Sequence, residues 1–255
     1  MTTHDDQVNR QFGPVASAYL TSTAHAQGED LKLLASIVQG RSAAHVLDLG
    51  CGAGHVSFAV AAQVAKVTAY DLSAEMLDVV AAEADKRRLT NIETRQGVAE
   101  KLPFENATFD YVLTRFSAHH WNDLPQALAE MRRVVKDDGH VIVIDVTAPA
   151  SPLLDTHLQS IELLRDVSHV RNYSMAEWMQ QFNVANLQIN ARNQWKLPLD
   201  FTAWVTRMQT PVDRVAVIRG LLQGAPLEVR EYLALQADCS FSIDVGMFEA
   251  SPMHS

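Results

Sequence analysis

Residues 46–55 read VLDLGCGAGH, and this stretch decides the fold. An apolar run carries Asp48 and is followed by three glycines, Gly50, Gly52 and Gly54. A buried parallel strand ends in this way when a tight loop leads into a helix, because glycine tolerates positive φ and lets the backbone lie against a ligand. The stretch therefore predicts a strand, a glycine loop and a helix in that order.

A second apolar run, residues 67–70, ends in Asp71. In folds of this kind an acid about twenty residues after the glycine loop binds the hydroxyls of a ribose. Loop and acid together predict a site for an adenosine-containing cofactor. The loop by itself is also compatible with an ordinary strand-to-helix turn.

The charge beside the loop favours S-adenosylmethionine over a dinucleotide. A pyrophosphate-binding loop has the spacing G-x-G-x-x-G, whereas here the third glycine comes one residue early and Asp48 precedes the first glycine by two residues. A carboxylate so placed repels phosphates and attracts an ammonium or a sulfonium. This argues against a nicotinamide-dependent oxidoreductase. A non-catalytic regulatory module that binds S-adenosylmethionine stays open as an alternative to an enzyme.

The composition limits the classes of protein and partner. The chain has 255 residues, 47% of them hydrophobic, and a net charge of −9. The acidic balance argues against a nucleic-acid partner, and the two cysteines predict neither a disulfide scaffold nor a metal site. Apolar runs are shorter than the ~18 residues of a membrane span, and the polar start is unlike a signal peptide. We expect a cytoplasmic protein with a small-molecule substrate, either a monomer or a homodimer.

Strands and helices alternate in the first two thirds of the chain. We predict strands over 44–49, 67–70, 92–96, 111–115 and 141–146, and helices over 29–38, 56–64, 74–88 and 124–135. Ser73 is placed as the N-cap of the third helix. This alternation predicts right-handed crossovers and a parallel sheet with helices on both faces.

The pattern changes after residue 148. Strands are predicted over 187–197 and 240–248, the second as a final edge strand, and helices over 153–166, 175–184, 201–208, 212–222 and 227–235. These helices are either lid elements or additional packing on the sheet. Aromatic residues in this part favour a lid that admits an aromatic or lipid-like acceptor, or else a core: Trp178, Trp195, Phe201 and Trp204.

Three further segments carry a family resemblance: residues 95–104 (RQGVAEKLPF), 109–121 (FDYVLTRFSAHHW) and 128–140 (LAEMRRVVKDDGH). With the glycine loop they resemble the class I S-adenosylmethionine-dependent methyltransferases, in particular the group with a methyltransferase type 11 domain similar to ubiquinone/menaquinone-biosynthesis C-methyltransferases. The resemblance implies an α/β, Rossmann-like seven-stranded, mostly parallel sheet with an antiparallel final strand and helical lid insertions. It also implies three parts: a cap over the cofactor site (1–28), a cofactor-binding core (29–148) and a part that completes the sheet and carries the lid (149–255).

The same resemblance implies which residues bind S-adenosylmethionine. Val98 stands where the family has an aspartate that holds the adenine amino group, so backbone contacts of Val98 and Ala99 are expected in its place. Leu72 and Met76 either enclose the adenosine or form plain helix core. The expected cofactor contacts are Asp48, Gly50, Cys51, Gly52, Gly54, Asp71, Leu72, Met76, Gly97, Val98, Ala99, Arg115, Phe116 and Tyr19.

The catalytic candidates are the adjacent histidines His119 and His120, at the end of the fourth strand. A histidine there is suited to take a proton from the nucleophile, since its pKa lies near neutrality. The alternative is a structural histidine that caps the next helix. The family pattern favours His120. Carbon, oxygen and nitrogen acceptors all stay open.

Two flanking segments complete the expected site. Residues 11–19 resemble the family's opening motif and place Phe12 and Tyr19 over the cofactor, unless this segment packs elsewhere. The polar run 166–174 offers substrate contacts through His169, Arg171 and Tyr173, or is an ordinary connection with Ser174 as N-cap.

Overall fold

The computed structural model describes residues 2–12 and 28–253, and in this part of the chain ten α-helices and eight strands are formed. The helices are α1 His4–Phe12, α2 Glu29–Ile37, α3 His55–Val60, α4 Ala74–Arg87, α5 Leu124–Val134, α6 Pro152–Arg165, α7 Met175–Val184, α8 Phe201–Arg207, α9 Val212–Gln223 and α10 Leu227–Tyr232. The strands are β1 His45–Leu49, β2 Lys66–Asp71, β3 Ile92–Gln96, β4 Phe109–Arg115, β5 Val135–Ala148, β6 Tyr173–Ser174, β7 Leu187–Leu199 and β8 Phe241–Pro252.

The strands form one sheet in the order β3-β2-β1-β4-β5-β8-β7, with the two-residue β6 paired to the end of β5. Strands β1 to β5 are parallel to one another, and β8 is antiparallel to both β5 and β7. The predicted α/β fold with an antiparallel final strand is confirmed. The chain order reverses between β1 and β4, which is the place where open α/β sheets bind ligands at their carboxyl edge.

The position predicted for the last strand is wrong. Strand β8 lies inside the sheet, where it pairs on both sides and is largely buried, whereas β7 is the edge and leaves most of its side chains exposed. Alternating polarity is typical of a half-buried strand and does not distinguish an edge from an interior position. Strand β6 and the early start of β5, directly after α5, were also outside the prediction.

The helical caps agree with the sequence. The side chain of Ser73 accepts from the Met76 amide at 3.3 Å, and Ser174 forms a capping box with Glu177. No helix within residues 2–12 and 28–253 is both long and apolar enough to cross a bilayer.

The four aromatic residues named from the last third of the chain lie in different clusters, and Trp195 packs, partly buried, against the core that contains β1 and α2. Trp178 packs with Phe182 and Phe248 in the core on one face of the sheet, so it is not a lid residue. Phe201 and Trp204 belong to a separate cluster formed by α6, α8, α9 and α10 with the start of β8. This second cluster, together with the turn that carries His119 and His120, places helices α6, α8, α9 and α10 beside the carboxyl edge of the sheet.

Arg133 ties the loop after β3 to α5. Its guanidinium donates to the carbonyls of Leu102 at 2.9 Å and Phe104 at 2.7 Å, and pairs with both carboxylate oxygens of Glu130. Glu130 in turn accepts from the Leu102 amide at 2.7 Å. The Arg133 side chain lowers the pKa of Glu130 through these hydrogen bonds. Arg133 therefore fixes to α5 the loop whose residues Gly97, Val98 and Ala99 line a cavity at the carboxyl edge of the sheet.

The Arg133→Met substitution should lower the free energy of unfolding by about 2–3 kcal/mol, because charge-assisted bonds to two carbonyls and a carboxylate are lost. Urea denaturation measures this change. Arg132→Met is the matched control. Among the described residues, the ion-pair partner of Arg132 is the exposed Asp137 at 3.3 Å, so the substitution should change stability by less than about 0.5 kcal/mol. Equal effects of the two substitutions would contradict the role given to Arg133.

Candidate functional site

A cavity that opens to solvent lies at the carboxyl edge of the sheet, over the ends of β1, β2 and β4, and together with its mouth it holds about 1040 Å³ of empty space. We call it the first cavity. Most of the residues expected to bind the cofactor line it: Asp48, Gly50, Cys51, Gly52, Asp71, Leu72, Met76, Gly97, Val98, Ala99, Arg115 and Phe116. Helix α1 adds His4, Asp5, Val8 and Phe12. Of these four residues, Phe12 was predicted from the sequence to lie over the cofactor.

The glycine loop lies against this cavity with positive φ at all three glycines: 66° at Gly50, 50° at Gly52 and 83° at Gly54. A Cβ at Gly50 would collide with the Ser117 hydroxyl, so glycine lets the loop reach the turn after β4. A Cβ at Gly54 would lie 2.9 Å from Val80 Cγ2, so that glycine lets α4 approach the loop. Two of the three glycines thus line the cavity, while Gly54 serves helix packing.

Asp48 is buried at the end of β1, with 1% of its surface exposed. Its Oδ2 accepts from the Ser57 amide at 2.9 Å and from the Ser57 hydroxyl at 2.6 Å. Within the described part of the chain, Oδ1 has no hydrogen-bond partner. Burial raises the pKa of Asp48 to about 7, against the opposing effect of Ser57. One carboxylate oxygen beside the cavity is therefore left for a positively charged group.

Asp71 ends β2 and faces the same cavity. Its Oδ2 accepts from the Gly52 amide at 2.8 Å, and its Oδ1 accepts from the Ser73 amide at 2.9 Å. Burial raises the pKa of Asp71, while these backbone donors oppose the shift. The two amides fix the orientation of the carboxylate, and each of its oxygens keeps a lone pair for another donor.

The segment after β3 forms another wall of the cavity. Gly97 lies against the Tyr70 ring, where a Cβ would collide with the phenol oxygen. The Tyr70 hydroxyl donates to the Val98 carbonyl at 3.2 Å. Met76 is buried in a small cluster with Ala53, against which Phe12 packs. Met76 is thus both a cavity residue and part of the helix core.

The end of β4 carries a strained residue. Phe116 has φ of 52°, which is uncommon for a residue with a Cβ, and its amide donates to the Ile144 carbonyl at 2.8 Å. Such outliers concentrate at functional sites because the surrounding structure has to hold them. The neighbouring Arg115 forms a buried ion pair with Asp30 of α2. This pair links the start of the core to the edge of the first cavity.

A second cavity of about 660 Å³ adjoins the first. Phe12, Phe116 and His120 line both cavities. The remaining lining residues of the second cavity are His119, Val146, Glu162, Arg165, Asp166, Asn172, Leu197, Leu199, Trp204, Arg207 and Ile243. Helices α6 and α8 therefore contribute to its walls.

His119 is held by a carboxylate. Its Nδ1 lies 2.6 Å from Asp145 Oδ1, and its backbone amide donates to Asp145 Oδ2 at 3.2 Å. Burial disfavours the charged ring, but the charge of Asp145 and this hydrogen bond outweigh burial and raise the pKa of His119. His119 lines the second cavity and is not among the residues that line the first.

His120 lies between the two cavities. Its Nδ1 is 3.0 Å from the Ser168 carbonyl, and because a carbonyl only accepts, Nδ1 carries the proton. Its Nε2 lies 3.9 Å from Asp166 Oδ2. Burial and the neighbouring charge on His119 lower the pKa of His120 to about 4, against the attraction of Asp166. The ring is therefore neutral near pH 7, with its lone pair on Nε2.

Residues 166–172, the loop after α6, hold this pair of histidines. The Val170 amide donates to the His119 carbonyl at 2.8 Å, in addition to the bond between Ser168 and His120. Of the loop residues singled out from the sequence, His169 contacts Gln159 and Arg171 pairs with Asp155 and Glu177. The loop brings Asp166 and Asn172 to the second cavity instead. No pattern in the sequence distinguished these two from their neighbours.

Two of the predicted cofactor residues need separate comment. Tyr19 lies outside the described residues. Cys51 is a free cysteine, as is Cys239, and burial, together with the charges of Asp71 and Asp48, raises the pKa of the Cys51 thiol, which keeps it neutral.

The sequence also missed Tyr70, Ser117 and Trp121 as cavity residues. Their polarity and spacing are those of ordinary strand and turn residues, and only the approach of the turn after β4 to β2 brings them together.

Comparison with known proteins agrees with this geometry. A family model described as a methyltransferase domain matches residues 47–143. The uncharacterized protein YafE of Escherichia coli (strain K12) is 50% identical over 201 residues, which are 79% of this chain and 97% of that protein. The uncharacterized methyltransferase YcgJ of Bacillus subtilis (strain 168) is 36% identical over 220 residues, 86% of this chain and 87% of that protein.

The crystal structure of YcgJ has a TM-score of 0.86 to this fold at 32% identity and covers 89% of this chain and 99% of that one. The ubiquinone/menaquinone biosynthesis C-methyltransferase UbiE of Rhizobium leguminosarum bv. trifolii (strain WSM2304) is 31% identical over 160 residues, 59% of this chain and 62% of that protein. The chain therefore belongs to the S-adenosylmethionine-dependent methyltransferases, with S-adenosylmethionine as its cofactor.

Proposed function

We propose that this enzyme transfers the methyl group of S-adenosylmethionine to a small molecule bound in the second cavity. The observation that carries the proposal is the junction of the two cavities at Phe12, Phe116 and His120. A reacting pair has to be held about 3–3.5 Å apart and aligned, and two adjoining cavities offer such an arrangement. The net charge of −9 supports a small acceptor over a nucleic acid.

The first cavity fits S-adenosylmethionine on two independent points. The buried Oδ1 of Asp48 lacks a partner in the described part of the chain, and an ammonium group is the partner that a carboxylate there favours. Gly52 lines the cavity, and a Cβ built on it would meet no described atom within 4 Å, so the loop leaves open space there for a ligand. We assign the methionyl ammonium to Asp48 and the ribose hydroxyls to the oriented carboxylate of Asp71. Leu72, Met76, Val98 and Ala99 would enclose the adenine.

When bound, S-adenosylmethionine supplies an activated methyl group: the acceptor's electron pair forms the new bond to the methyl carbon, and the carbon–sulfur pair leaves with sulfur to give S-adenosylhomocysteine. The protein then has to position the acceptor, exclude water and take up the proton that the acceptor loses. Phe12 packs edge-on against the His120 ring at 5.0 Å between centroids, and this contact supports exclusion of water by α1.

His120 is our candidate for the proton acceptor. Ser168 orients its ring, its low pKa leaves Nε2 unprotonated, and Asp166 lies near enough to stabilise the charged ring after proton uptake. A weak base is sufficient where the nucleophile becomes acidic as its new bond forms. His119 is a positioning residue in this scheme, because its charge keeps His120 neutral. The alternative, that both histidines only cap the turn, leaves the low pKa of His120 without a use.

On the basis of these assignments, each of three parts of the chain has its own role. We propose that residues 1–28 act as a cap, that 29–148 bind the cofactor and that 149–255 complete the sheet and enclose the acceptor. The Rhizobium relative is named for C-methylation in ubiquinone and menaquinone biosynthesis. Apolar side chains such as Trp204 and Leu199 in the second cavity are compatible with a ring-bearing acceptor of that general kind.

The function is tested by supplying methyl-labelled S-adenosylmethionine with two fractions of a bacterial extract, one of small metabolites and one of macromolecules. We expect label in the small-molecule fraction, matched by an equal amount of S-adenosylhomocysteine. The Asp48→Asn variant is the control, because it should bind the cofactor weakly and transfer little. Label confined to protein or nucleic acid, or no transfer from either fraction, would contradict the proposal.

The histidine assignment makes a spectroscopic prediction. In protein with labelled histidines, His120 should stay neutral with its proton on Nδ1 until the pH falls to about 4, while His119 titrates above its ordinary pKa. Asp145→Asn removes the charge that supports the His119 cation, so the pKa of His119 should fall. The pKa of His120 should then rise, because its charged neighbour is lost.

The matched control is Asp137→Asn, at an exposed position near the start of β5, which should change neither ring. NMR titration of the ring nitrogens between about pH 4 and pH 8 measures both groups. Two rings that titrate together near the ordinary histidine pKa, or that ignore Asp145→Asn, would refute the electrostatic link.

A further inference from the structure

Asn172 is a buried amide that lines the second cavity. Only 1% of its surface is exposed, and within the described residues neither Oδ1 nor Nδ2 of its side chain has a hydrogen-bond partner. Its backbone is fixed from both sides: the amide donates to Gln159 Oε1 at 3.1 Å, and the carbonyl accepts from Gln159 Nε2 at 2.8 Å. The side chain is therefore held in the wall of the cavity by bonds that leave its own polar atoms unused.

A buried carboxamide without partners is costly, since each unpaired donor or acceptor forfeits its bonds to water. Natural structures keep such a group where something else satisfies it. A carboxamide offers one acceptor and one donor side by side. The complementary group therefore carries a donor next to an acceptor, as a primary amide does, or a hydroxyl beside a carbonyl.

The rest of the second cavity limits the charge of its ligand. Glu162 lies 3.6 Å from the guanidinium of Arg165, and Asp166 accepts two hydrogen bonds from Ser168. Burial raises the pKa of Glu162, against the opposing charge of Arg165. Of the other charged residues in this wall, His119 pairs with Asp145, and the charge of Arg207 acts on Glu162. These charged groups are engaged within the protein. The apolar residues of the wall are Val146, Leu197, Leu199, Trp204 and Ile243.

We propose that Asn172 is the recognition residue for the methyl acceptor, and that the acceptor is a neutral, mainly apolar ring compound bearing a hydrogen-bond donor and acceptor side by side. This inference rests on the proposed function, because it treats the second cavity as the acceptor site. It adds a chemical class to that site and a residue that selects it. A compound with an acceptor alone pairs with the Nδ2 hydrogens of Asn172 but leaves its Oδ1 buried and unpaired, and is disfavoured for that reason.

The test uses two probes of similar shape, benzamide and methyl benzoate, with the full chain saturated by S-adenosylhomocysteine. Benzamide offers a donor beside its carbonyl, whereas methyl benzoate offers only acceptors. NMR titration of the protein gives both dissociation constants. We expect benzamide to bind at least about tenfold more tightly to the wild-type enzyme, and Asn172→Leu to remove this preference. Asn183→Leu, at an exposed helical position, is the matched control and should keep it.

Stability provides a second readout. Leucine has the same four side-chain heavy atoms, branched at Cγ, as asparagine and carries no polar atom, so Asn172→Leu should leave the unfolding midpoint of the free protein unchanged or higher. If Asn172→Leu does not fold, Asn172→Ala takes its place in the probe experiment. A marked loss of stability in both variants, with the probe preference intact in whatever folds, would assign Asn172 a structural role and overturn the proposal.

Equal affinities of the two probes for the wild-type enzyme would also overturn it, as would a preference that survives in Asn172→Leu or no saturable binding of either probe. Binding of S-adenosylhomocysteine, measured in the same samples, separates this inference from the proposed function. If S-adenosylhomocysteine fails to bind, the proposed function fails. If it binds while the probe preference is absent, only the role of Asn172 fails.

Discussion

The buried carboxylate of Asp48 is the constraint on which the site depends. Ser57 satisfies one of its oxygens, and the other is left without a partner in the described part of the chain. An uncompensated carboxylate at the end of a central strand is unfavourable in the free protein, which is why its pKa rises to about 7. A cation supplied by the ligand removes that penalty. The unpaired Asp48 carboxylate thus destabilises the free protein, and the same carboxylate selects the cofactor.

The parallel sheet makes this arrangement possible. Because β1, β2 and β4 all end at one edge, the glycine loop, Asp71 and the turn that carries His119 and His120 meet there although they are far apart in the chain. Hydrogen bonds then fix these segments to one another. The Gly52 amide donates to Asp71, the Tyr70 hydroxyl donates to the Val98 carbonyl, and His120 Nδ1 donates to the Ser168 carbonyl. Preorganisation of this kind lowers the cost of ordering the site when a ligand binds.

The sequence predicted the parts of the site that depend on local patterns. Glycines before a helix and an acid at the end of a strand have steric and electrostatic meanings that can be read from a few residues, so Asp48, Gly50, Gly52 and Asp71 were found. Residues defined by long-range packing were not. The pairing of His119 with Asp145, the interior position of β8 and the exposure of Asn172 to the second cavity depend on how distant segments meet, and their sequence neighbourhoods carry no distinguishing pattern.

The most direct measurement is a calorimetric titration with S-adenosylhomocysteine at pH 8 and at pH 6, repeated with 5′-methylthioadenosine, which lacks the ammonium and carboxylate groups. The folded-state pKa of Asp48 is raised to about 7, so its carboxylate is mostly ionised at the higher pH and mostly protonated at the lower. We predict that the affinity for S-adenosylhomocysteine falls about tenfold between the two, while that for 5′-methylthioadenosine changes little. Equal affinities of the two ligands, with no dependence on pH, would contradict the role of Asp48.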